Sequence, residues 1–533
     1  MEDYIKELIR LIKTKSLAQL KKELAKKYNL KGIPANIQIL NNLNEKQRKI
    51  YSKYFITKPI RTLSGVAPIA IMTSPEKCPH GKCIMCPGGP NSFFGNIPQS
   101  YTGKEPATMR GLRTNFDSFL QTFTRLEQYF VLSQNPEKVE LIIMGGTFPA
   151  RNKTYQKKFI TEAFQALNIF SKLFYKNSFD SKKFNKFFEL PGSIQDEERI
   201  KSIYKKILKL KKTTNIKKEH KINESSKIKC VGLTIETRPD YALEEQLKFL
   251  LSLGVTRLEI GVQSLNNKIL KNIERGHLIE DIIKATKIAK NLAFKINYHM
   301  MIGLPSSSIK KDIQTFKLLF KDTNFRPDML KIYPCLVLKG TKLYELYKKN
   351  KYHPLTTKQA IYLLNKIKQF IPEYCRIMRI QRDIPTKFTE AGPDITNLRQ
   401  YLSKCKCIRC REPKDNFIPK NPKLTIREYI ASGEREFFIS IEEEDYILGF
   451  CRLRFFKEKA LIRELHIYGN LTILKEEGRI QHRGYGKLLL NKAENIAKQH
   501  NKKQILIISG VGTRNYYKKL DYKLKSPYMI KFL

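Results

Sequence analysis

The sequence predicts an α/β protein in which a complete or partial (β/α) barrel lies between basic N-terminal helices and a separate C-terminal α+β domain. Three observations support this fold class. Short apolar runs alternate with longer helical runs from about residue 66 to 385, antiparallel-type strands replace them after about residue 420, and lysine-rich amphipathic sequence precedes them. With 533 residues and 41% hydrophobic content, the chain is long enough for two or three cores.

Residues 1–60 are the first predicted element, a helical and strongly basic segment. Apolar residues recur at spacings of three and four, with lysines around them, in the stretch YIKELIRLIKTKSLAQLKKELAKKY. We therefore expect amphipathic helices whose exposed face is positive.

The barrel is predicted over residues 61–395, where helical sequence separates seven apolar runs. These runs are VAPIAIMT, VELIIMGGTF, CVGLTIETRP, RLEIGVQS, INYHMMIGLP, LKIYPCLVL and RIMRIQRDIP. Nearly continuous apolar strands are typical of a parallel sheet, and barrel enzymes place their chemistry at the carboxyl ends of the strands. A lysine-rich stretch at about 171–228 interrupts the pattern, and we expect a surface insertion or mobile loop there.

The C-terminal domain is predicted over residues 420–533 as an α+β unit. The runs REFFISIEE, YILGFCRLRFF and ALIRELHIYG indicate antiparallel strands, and a glycine-containing turn, a helix and a final strand ILIISG follow.

The charge balance indicates a polyanionic partner. Lysine and arginine number 100 against 50 acidic residues, which gives a formal net charge of +50. Nucleic acid is therefore the leading partner, although a lysine-rich composition whose charge is merely solvated is the alternative. No stretch of about 18 apolar residues occurs, so we expect neither a signal peptide nor a membrane span.

Two cysteine triplets indicate metal binding in a reducing cytoplasm rather than disulfide bonds. The first triplet, Cys78, Cys83 and Cys86, has the spacing C-x4-C-x2-C after the first predicted strand. A zinc site would need a fourth ligand, whereas three thiolates in one loop suit a [4Fe–4S] cluster with one open iron. Such an iron can chelate S-adenosylmethionine and pass it an electron to generate a radical.

The second triplet, Cys405, Cys407 and Cys410, falls within a linker predicted at residues 396–419. Its spacing indicates a structural zinc site that joins the two domains. The fourth ligand is not local. His353 and Cys375 are the candidates, although Cys375 lies in an apolar run, where a cysteine is more often simply a core residue.

The motifs together resemble the catalytic subunit of Elongator in its single-chain archaeal form, from about residue 20 to the C-terminus. They are CPHGKCIMCPGGP, QSYTGKEPATMRG, LIIMGGTFPA, TIETRPDY, LEIGVQS, YHMMIGLP, RIQRDIP and the end from QHRGYGKLLL to KSPYM. The resemblance implies a radical-SAM partial (β/α) barrel followed by a GNAT acetyltransferase-type domain. It also implies carboxymethylation of tRNA at carbon 5 of the wobble uridine, with acetyl-CoA as the carbon source.

The resemblance also implies roles for residues of the barrel. Cys78, Cys83 and Cys86 would ligate the cluster, and Gly145, Gly146 and Thr147 would lie against S-adenosylmethionine. Glu236, Arg238 and Gln263 are expected to contact S-adenosylmethionine or substrate, or else to form structural ion pairs.

In the C-terminal domain the resemblance implies an acetyl-CoA site. The residues expected to bind the cofactor are Gln481, His482, Arg483, Gly484, Tyr485, Gly486 and Asn515. Tyr516 and Tyr517 are the candidate catalytic residues, of which one should face the cofactor while the other is core. His466 is expected to pack or to orient substrate rather than to act as a base. Many GNAT chains have glycine at the position of Asp521, so the turn there is expected to differ.

We therefore predict a cytoplasmic tRNA-modifying enzyme that binds the anticodon stem-loop through its basic surface. The alternatives are a protein-lysine acetyltransferase with a relic barrel and a non-catalytic tRNA-binding scaffold. Both are disfavoured because the cysteine triplet and the glycine motif are intact. Homodimerisation and accessory subunits stay open.

Overall fold

The computed structural model describes residues 2–30, 32–55, 65–132, 134–192, 196–413, 417–468 and 484–533. Within these ranges, no helix is both long enough and apolar enough to span a lipid bilayer.

The N-terminal segment is helical, as predicted. Its helices are α1 (Glu2–Leu11), α2 (Leu17–Lys27), α3 (Asn36–Asn41) and α4 (Glu45–Tyr51). The Ser16 hydroxyl caps α2 by accepting a hydrogen bond from the Gln19 backbone N–H. The apolar faces of α1 and α2 are buried through Tyr4, Leu8 and Leu20, within the same core as the barrel. These helices are therefore packed on the barrel rather than extended as a free tail.

Seven parallel strands form an open half-barrel. The strands of this part of the chain are β1 (Ala67–Met72), β2 (Gly89–Ser92), β3 (Gly95–Ile97), β4 (Lys138–Met144), β5 (Lys229–Thr237), β6 (Arg257–Gln263), β7 (Lys295–Ile302), β8 (Met329–Pro334) and β9 (Arg376–Ile380). The sheet order is β1-β4-β5-β6-β7-β8-β9, and every neighbouring pair is parallel. All seven predicted strands are confirmed, and the barrel is partial. The strands β2 and β3 form a separate hairpin that the sequence analysis did not predict.

Helices alternate with the strands of this sheet along the chain. They are α5 (Pro106–Arg113), α6 (Ser118–Val131), α7 (Lys153–Phe174), α8 (Ser181–Phe187), α9 (Glu197–Lys209), α10 (Ile216–Ser225), α11 (Glu244–Ser252), α12 (Asn267–Asn272), α13 (Ile279–Asn291), α14 (Ile309–Lys321), α15 (Lys342–Lys348) and α16 (Thr357–Lys368). Parallel strands need such crossovers, which explains why helix and strand alternate along the chain.

Residues 171–228 were expected to form a surface insertion or a mobile loop, and of these two alternatives the mobile loop is wrong. The segment forms α8, α9 and α10 in its described part. Phe184, Phe188, Ile203 and Ile207 are buried there, and the two phenylalanines join an aromatic cluster with α6 and α7. The lysines occupy the outer faces of helices whose apolar positions recur every three or four residues, so the high lysine content concealed an amphipathic pattern.

In its described residues, the C-terminal domain is a seven-stranded sheet with two helices. Its elements are β10 (Lys423–Ala431), β11 (Glu434–Glu443), β12 (Tyr446–Phe456), β13 (Lys459–Ile467), α17 (Tyr485–Gln499), β14 (Gln504–Ile507), α18 (Arg514–Lys518), β15 (Lys523–Lys525) and β16 (Tyr528–Phe532). The order is β10-β11-β12-β13-β14-β16-β15, and only the β13–β14 pair is parallel among these described strands. The predicted strands are confirmed, but ILIISG is not the last, because β15 and β16 follow it.

A buried ionic network joins this domain to the barrel. Asp328, which precedes β8, pairs with Arg463 of β13, and Glu436 of β11 pairs with Lys290 of α13 at 3.2 Å. Arg454 also contacts Glu436, at 2.8 Å. All five side chains are at most 1% exposed. Because unpaired charges at such depth are costly, this network fixes the C-terminal domain at the N-terminal ends of the barrel strands.

Candidate active site

One cavity of 2960 Å³ reaches both predicted cofactor regions. Its wall includes Cys78, Cys83 and Cys86 of the first triplet, and Gly484 and Gly486 of the C-terminal domain. The structure thus brings together two sequence regions that lie about 400 residues apart in the chain. The barrel supplies one end of this cavity and the C-terminal domain the other.

The three cysteines of the first triplet lie in the loop that follows β1. Cys83 and Cys86 are buried and Cys78 is half-buried. Gln99 donates a hydrogen bond from Nε2 to Cys86 Sγ at 3.3 Å, and Arg275 Nη1 lies 3.6 Å from Cys83 Sγ. Donors of this kind stabilise thiolate ligands and tune the redox potential of a cluster that they hold.

His80 is held neutral beside this loop. Its Nε2 lies 3.1 Å from Cys83 Sγ. Burial lowers the pKa of His80 to about 4, and the charges of Arg238 and Arg275 add to this effect. A neutral imidazole can donate to the thiolate without adding a full positive charge to the site.

The geometry of the first triplet suits a multi-iron cluster better than a single ion. Among the described residues, the sulfurs of Cys405, Cys407 and Cys410 lie within 4.8 Å of one another, whereas those of Cys78, Cys83 and Cys86 do not meet this limit. A single zinc ion draws its ligands close together, while a cubane cluster spaces them apart. The residues of the first triplet therefore fit a [4Fe–4S] cluster.

The glycine motif after β4 lies beside the cysteine loop. Gly145 and Gly146 have φ values of +126° and +102°, which side chains rarely adopt, and a Cβ at Gly145 would collide with the Thr73 hydroxyl. Thr147 Oγ1 lies 3.5 Å from Cys78 Sγ. Gly146 and Thr147 line the same cavity as the three cysteines.

The predicted contact residues Glu236, Arg238 and Gln263, at the carboxyl ends of β5 and β6, have different hydrogen-bond partners. Glu236 accepts hydrogen bonds from the Tyr101 hydroxyl at 2.8 Å and from the Gly145 N–H at 3.2 Å, and it lines the cavity. Arg238 also lines the cavity, and it forms a two-point ion pair with Asp240 at 2.8 and 2.9 Å. Gln263 lines the cavity at a φ of +69°.

A charged cluster inside the barrel was missed by the sequence analysis. Arg257 Nη2 lies 2.8 Å from Glu140 Oε1, His299 Nε2 lies 2.8 Å from Glu259 Oε2, and Lys331 Nζ also contacts Glu259. Burial opposes ionisation of Glu259, but Lys331, His299 and Arg257 outweigh it and hold its pKa well below the usual value. Burial and Lys331 lower the pKa of His299. The sequence signal that could have revealed this cluster is the pair of charged residues two positions apart, Arg257 and Glu259, within the predicted strand RLEIGVQ.

The glycine turn before α17 is suited to bind a phosphate group. Gly484 is the N-cap of this 15-residue helix at a φ of +77°, and a Cβ at Gly486 would lie 2.8 Å from the Tyr516 hydroxyl. The first N–H groups of a helix lack intrahelical partners and attract anions. Gly484, Tyr485 and Gly486 line the cavity. The predicted contacts Gln481, His482 and Arg483 lie outside the described residues.

The adjacent tyrosines of α18 differ in environment. Tyr516 is 43% exposed and its hydroxyl faces the glycine turn, whereas Tyr517 is 6% exposed and packs in the domain core against Tyr522. Burial raises the pKa of Tyr516, so its hydroxyl is protonated at neutral pH. Asn515 donates from Nδ2 to the Glu224 backbone oxygen at 2.8 Å, so this amide group is engaged by α10.

The second triplet has the dimensions of a single metal site. Cys405 Sγ and Cys410 Sγ are 3.7 Å apart, and Cys407 is buried. The group includes neither His353 nor Cys375 among the described residues, although the Cys375 carbonyl accepts the Ile408 N–H at 3.0 Å. Three thiolates at this separation fit a zinc ion.

Four family models match consecutive parts of the chain. The ELP3 N-terminal domain matches residues 2–63, the Radical SAM superfamily matches residues 73–319, the Radical_SAM C-terminal domain matches residues 327–405 and the Acetyltransferase (GNAT) family matches residues 403–522.

Full-length relatives are similar to the whole chain. The tRNA uridine(34) acetyltransferase of Methanocaldococcus infernus is 43% identical over 550 residues, which cover 97% of this chain and 95% of the relative. Human Elongator complex protein 3 is 36% identical over 567 residues, which cover 100% of this chain and 96% of the relative. The solved structure of M. infernus Elp3 with an N-terminal deletion (1–46) has a TM-score of 0.70 at 37% identity and covers 89% of this chain and 100% of its own.

Proposed function

This chain belongs to the Elp3 family, and on that premise we propose that it is a tRNA-modifying enzyme of the acetyltransferase class that acts on the wobble uridine. We further propose that its product carries a carboxymethyl group at carbon 5 of that uridine, with both carbons drawn from acetyl-CoA. The predicted parts then have distinct tasks. Residues 1–60 bind tRNA, 61–395 generate the radical, 396–419 hold a structural metal and 420–533 bind acetyl-CoA.

The observation that carries this proposal is the cavity shared by the cysteine loop and the glycine turn before α17. A methyl C–H bond of an acetyl group is too inert for general-base chemistry at neutral pH. A radical enzyme that also binds acetyl-CoA can activate that carbon, and a shared cavity lets one protein do both.

The residues of the barrel would bind and orient the radical source. Cys78, Cys83 and Cys86 would hold a [4Fe–4S] cluster, which supplies an electron for cleavage of S-adenosylmethionine when bound. The backbone at Gly146 and Thr147 would lie along the methionine part of that ligand, since both residues line the cavity beside the cysteine loop and Gly146 adds no side chain there. Glu236 is fixed by Tyr101 and presents a carboxylate to the same cavity.

The C-terminal domain would activate the thioester. The turn at Gly484 and Gly486 would bind the pyrophosphate of acetyl-CoA through backbone N–H groups. Tyr516 is protonated and lines the same cavity, so its hydroxyl is available to donate a proton to the thiolate as the carbon–sulfur bond breaks.

The partner and the second metal are further parts of the proposal. The net charge of +50 suits a tRNA, and exposed lysines of α2 and of the cavity rim would contact phosphate groups. Cys405, Cys407 and Cys410 would bind zinc in a structural role. We place the enzyme in the cytoplasm, where tRNA and reduced thiols occur together.

The test is mass spectrometry of nucleosides from tRNA incubated with reconstituted enzyme, S-adenosylmethionine, a reductant and acetyl-CoA labelled in both carbons. We expect both labelled carbons on carbon 5 of the wobble uridine. Cys83→Ala should abolish S-adenosylmethionine cleavage and product, whereas Cys451→Ala, at a buried cysteine of β12, should retain both. Labelled lysine in protein with unmodified tRNA would contradict the proposal and favour a protein acetyltransferase.

A further inference from the structure

Strand β13 of the C-terminal domain lies across the first residues of the barrel strands β7, β8 and β9. Arg463 of β13 donates from Nη1 to the Phe294 backbone oxygen, directly before β7, and to Asp328, directly before β8, both at 2.8 Å. Arg376, the first residue of β9, donates from Nη1 to the hydroxyl of Tyr468 at 2.5 Å. The part of β13 between these contacts therefore faces the start of the barrel strands.

This part of β13 also adjoins the turn proposed for the pyrophosphate of acetyl-CoA. A Cβ at Gly486 would lie 3.8 Å from the Ile467 side chain, at the end of β13. Glu464 and His466 precede Ile467 and line the shared cavity. An acetyl-CoA whose pyrophosphate is bound at the glycine turn can therefore extend along β13 to these two side chains.

His466 indicates that a ligand belongs at this place. Burial lowers the pKa of His466 to about 4, Glu464 opposes this effect, and the charges of Arg376 and Lys295 add to it. The imidazole is therefore neutral at pH 7. Its Nε2 atom is buried and has no hydrogen-bond partner within the described parts of the chain. Because buried polar atoms are normally hydrogen-bonded, a bound molecule is expected to complete this site.

Lys295, the first residue of β7, is the barrel cation that remains available there. It is half-buried and lines the same cavity. Its Nζ atom has no hydrogen bond or ion pair with any residue that the structure describes. The neighbouring cations are engaged, since Arg376 pairs with Glu412 and Arg452 pairs with Glu464 at 2.9 Å.

The charge of Lys295 acts on Glu464 without a direct contact. Burial opposes ionisation of Glu464, but Lys295 and Arg452 outweigh it and lower the pKa of this carboxyl. Arg452 does so through a direct ion pair, whereas Lys295 forms none with Glu464. The ammonium group is thus close enough to influence the cavity-facing side chains of β13 and is still free to bind an oxygen atom of a ligand.

We propose that Lys295 is a catalytic residue that the barrel contributes to the acetyl-CoA site, where its ammonium group donates a hydrogen bond to the thioester carbonyl oxygen. The proposal rests on the function proposed above and deepens it. When water attacks the carbonyl carbon, a carbon–oxygen bond forms and an electron pair of the carbonyl group moves to its oxygen, beside Lys295. That pair returns as the carbon–sulfur bond breaks, and the sulfur takes a proton from Tyr516. Water replaces the proton of Tyr516, so acetate and the CoA thiol form with one proton released and with no oxidant or reductant. A fixed donor at the developing negative charge lowers the barrier of the step.

The test is the rate of thiol release from acetyl-CoA by the full-length reconstituted enzyme in the presence of tRNA. Lys295→Met keeps most of the apolar stem and removes the charge. We expect its kcat to fall about 10²-fold, as for the loss of one oxyanion donor, with the KM for acetyl-CoA within about threefold and S-adenosylmethionine cleavage within about twofold of wild type. Lys295→Arg retains a cation and should recover activity to within about tenfold of wild type. Lys284→Met, at an exposed lysine of α13, is the matched control and should be unchanged.

Two further variants distinguish a positioned donor from a general effect of charge. If Lys295 only balances the charge of Glu464, then Lys295→Met should have no effect in a Glu464→Gln background. We expect it to lower kcat about 10²-fold there too. Lys138→Met removes a half-buried cavity lysine from the first position of β4, and we expect less than a threefold loss. A loss equal to that of Lys295→Met would attribute the effect to the total charge of the cavity and contradict the proposal.

The outcomes separate this proposal from the proposed function. If wild type neither releases thiol nor forms modified uridine, the proposed function fails. If wild type does both and Lys295→Met keeps its kcat, the function stands and Lys295 has no catalytic role. A raised KM with an unchanged kcat would also reject that role, since it reports binding of the ground state alone. Should thermal unfolding show that Lys295→Met is not folded, Lys295→Gln decides, because it keeps a polar side chain but no charge.

Discussion

Tyr516 and Tyr517 show that adjacent residues of the same type can lie in different environments and therefore have different chemical roles. Both lie on α18, yet the hydroxyl of Tyr516 faces the glycine turn while the ring of Tyr517 packs between Tyr516 and Tyr522. Adjacent residues of a helix point about 100° apart, so a pair at the edge of a domain divides between solvent and core. The structure therefore favours Tyr516 for the acid role.

We predict that Tyr516→Phe lowers thiol release from acetyl-CoA by roughly 10²-fold, because the proton donor to the leaving thiolate is lost. Tyr517→Phe is the matched control and should stay within about threefold of wild type, since its hydroxyl lies in the core. The measurement is the rate of thiol formation at saturating acetyl-CoA. Equal rates in the Tyr516→Phe variant and wild type would exclude this tyrosine from the step.

Residue patterns predicted the cofactor sites but not the interior of the barrel. Cys78, Cys83 and Cys86 stand close together in the chain, and Gly145 and Gly146 follow a strand, so local sequence reveals them. Glu259 and Lys331, in contrast, are 72 residues apart and come into contact only because β6, β7 and β8 lie side by side. Pairs of this kind depend on strand order, which no short motif encodes.

At the scale of elements, α10, the last helix of the lysine-rich segment, contacts α18 of the C-terminal domain. Glu224 near its end pairs with Arg514 at 3.1 Å and with Lys518 at 2.7 Å, and both partners lie on α18. Gly512, just before α18, packs so closely on β5 that an added Cβ would lie 2.6 Å from the Lys229 side chain. The helix that carries Tyr516 is thus positioned by the barrel as well as by its own domain.

We predict that Glu224→Ala lowers thiol release by roughly tenfold, because small displacements of a reacting group are costly in rate. Cleavage of S-adenosylmethionine should be unchanged, since the cysteine loop lies at the other end of the barrel. The control is Glu198→Ala, which removes an exposed pair with Lys201 on α9. Equal loss of both activities in Glu224→Ala would indicate general unfolding instead of a positioning role.

The N-terminal helices suggest a second test at this scale. Tyr4 and Leu8 are fully buried, so deletion of the segment would expose the core, whereas Lys22 and Lys26 are exposed on α2. We predict that the double variant Lys22→Glu, Lys26→Glu weakens tRNA binding about tenfold and lowers the slope of log Kd against log salt by about one per lost phosphate contact. Binding isotherms at two salt concentrations measure both.

The matched control reverses two exposed lysines elsewhere, Lys284 and Lys287 on the outer barrel helix α13. If both double variants weaken binding equally, the N-terminal charge acts only through the total charge of the protein. An effect confined to α2 would assign a specific contact to the N-terminal helices.

Element boundaries were predictable where the apolar pattern is strong. The barrel strands are buried on their outer face and partly buried where they line the cavity, so they are recognisable as short, largely apolar runs. The short strand β15, Lys523–Lys525, is fully exposed and has the composition of a loop, so only its pairing with β16 identifies it. The helices α9 and α10 were also predicted to be a loop, because their high lysine content was given more weight than the spacing of their apolar residues.

At the scale of the whole molecule, the arrangement of the domains depends on charges that the sequence does not reveal. Arg463 and Asp328 are 135 residues apart and completely buried, and Glu436 lies between Arg463, Lys290 and Arg454. These buried ion pairs hold the C-terminal domain at the N-terminal ends of the barrel strands, and so they keep the proposed acetyl-CoA site aligned with the shared cavity. Loss of these ion pairs should therefore weaken the coupling between thioester cleavage and S-adenosylmethionine cleavage, and it should also lower the stability of the protein.

We predict that Glu436→Gln costs about 3–5 kcal/mol of unfolding free energy at pH 7, because it leaves buried cations without a partner. Burial opposes ionisation of Glu436, but the charges of Arg463, Lys290 and Arg454 outweigh it and lower its pKa to about 2 from 4.5. A carboxylate whose pKa is lowered by folding stabilises the protein above pH 4.5, and this contribution is lost as the pH falls towards 2. The free-energy difference between wild type and Glu436→Gln should therefore shrink between pH 4.5 and 2, as the protonated acid comes to resemble the amide.

Urea titrations at pH 7, 4.5 and 3 measure this difference in unfolding free energy. The control Glu428→Gln, which removes an exposed pair with Arg435, should show almost no difference from wild type at any pH. A difference that stays constant from pH 7 to 3 would mean that the buried network does not depend on the charge of Glu436.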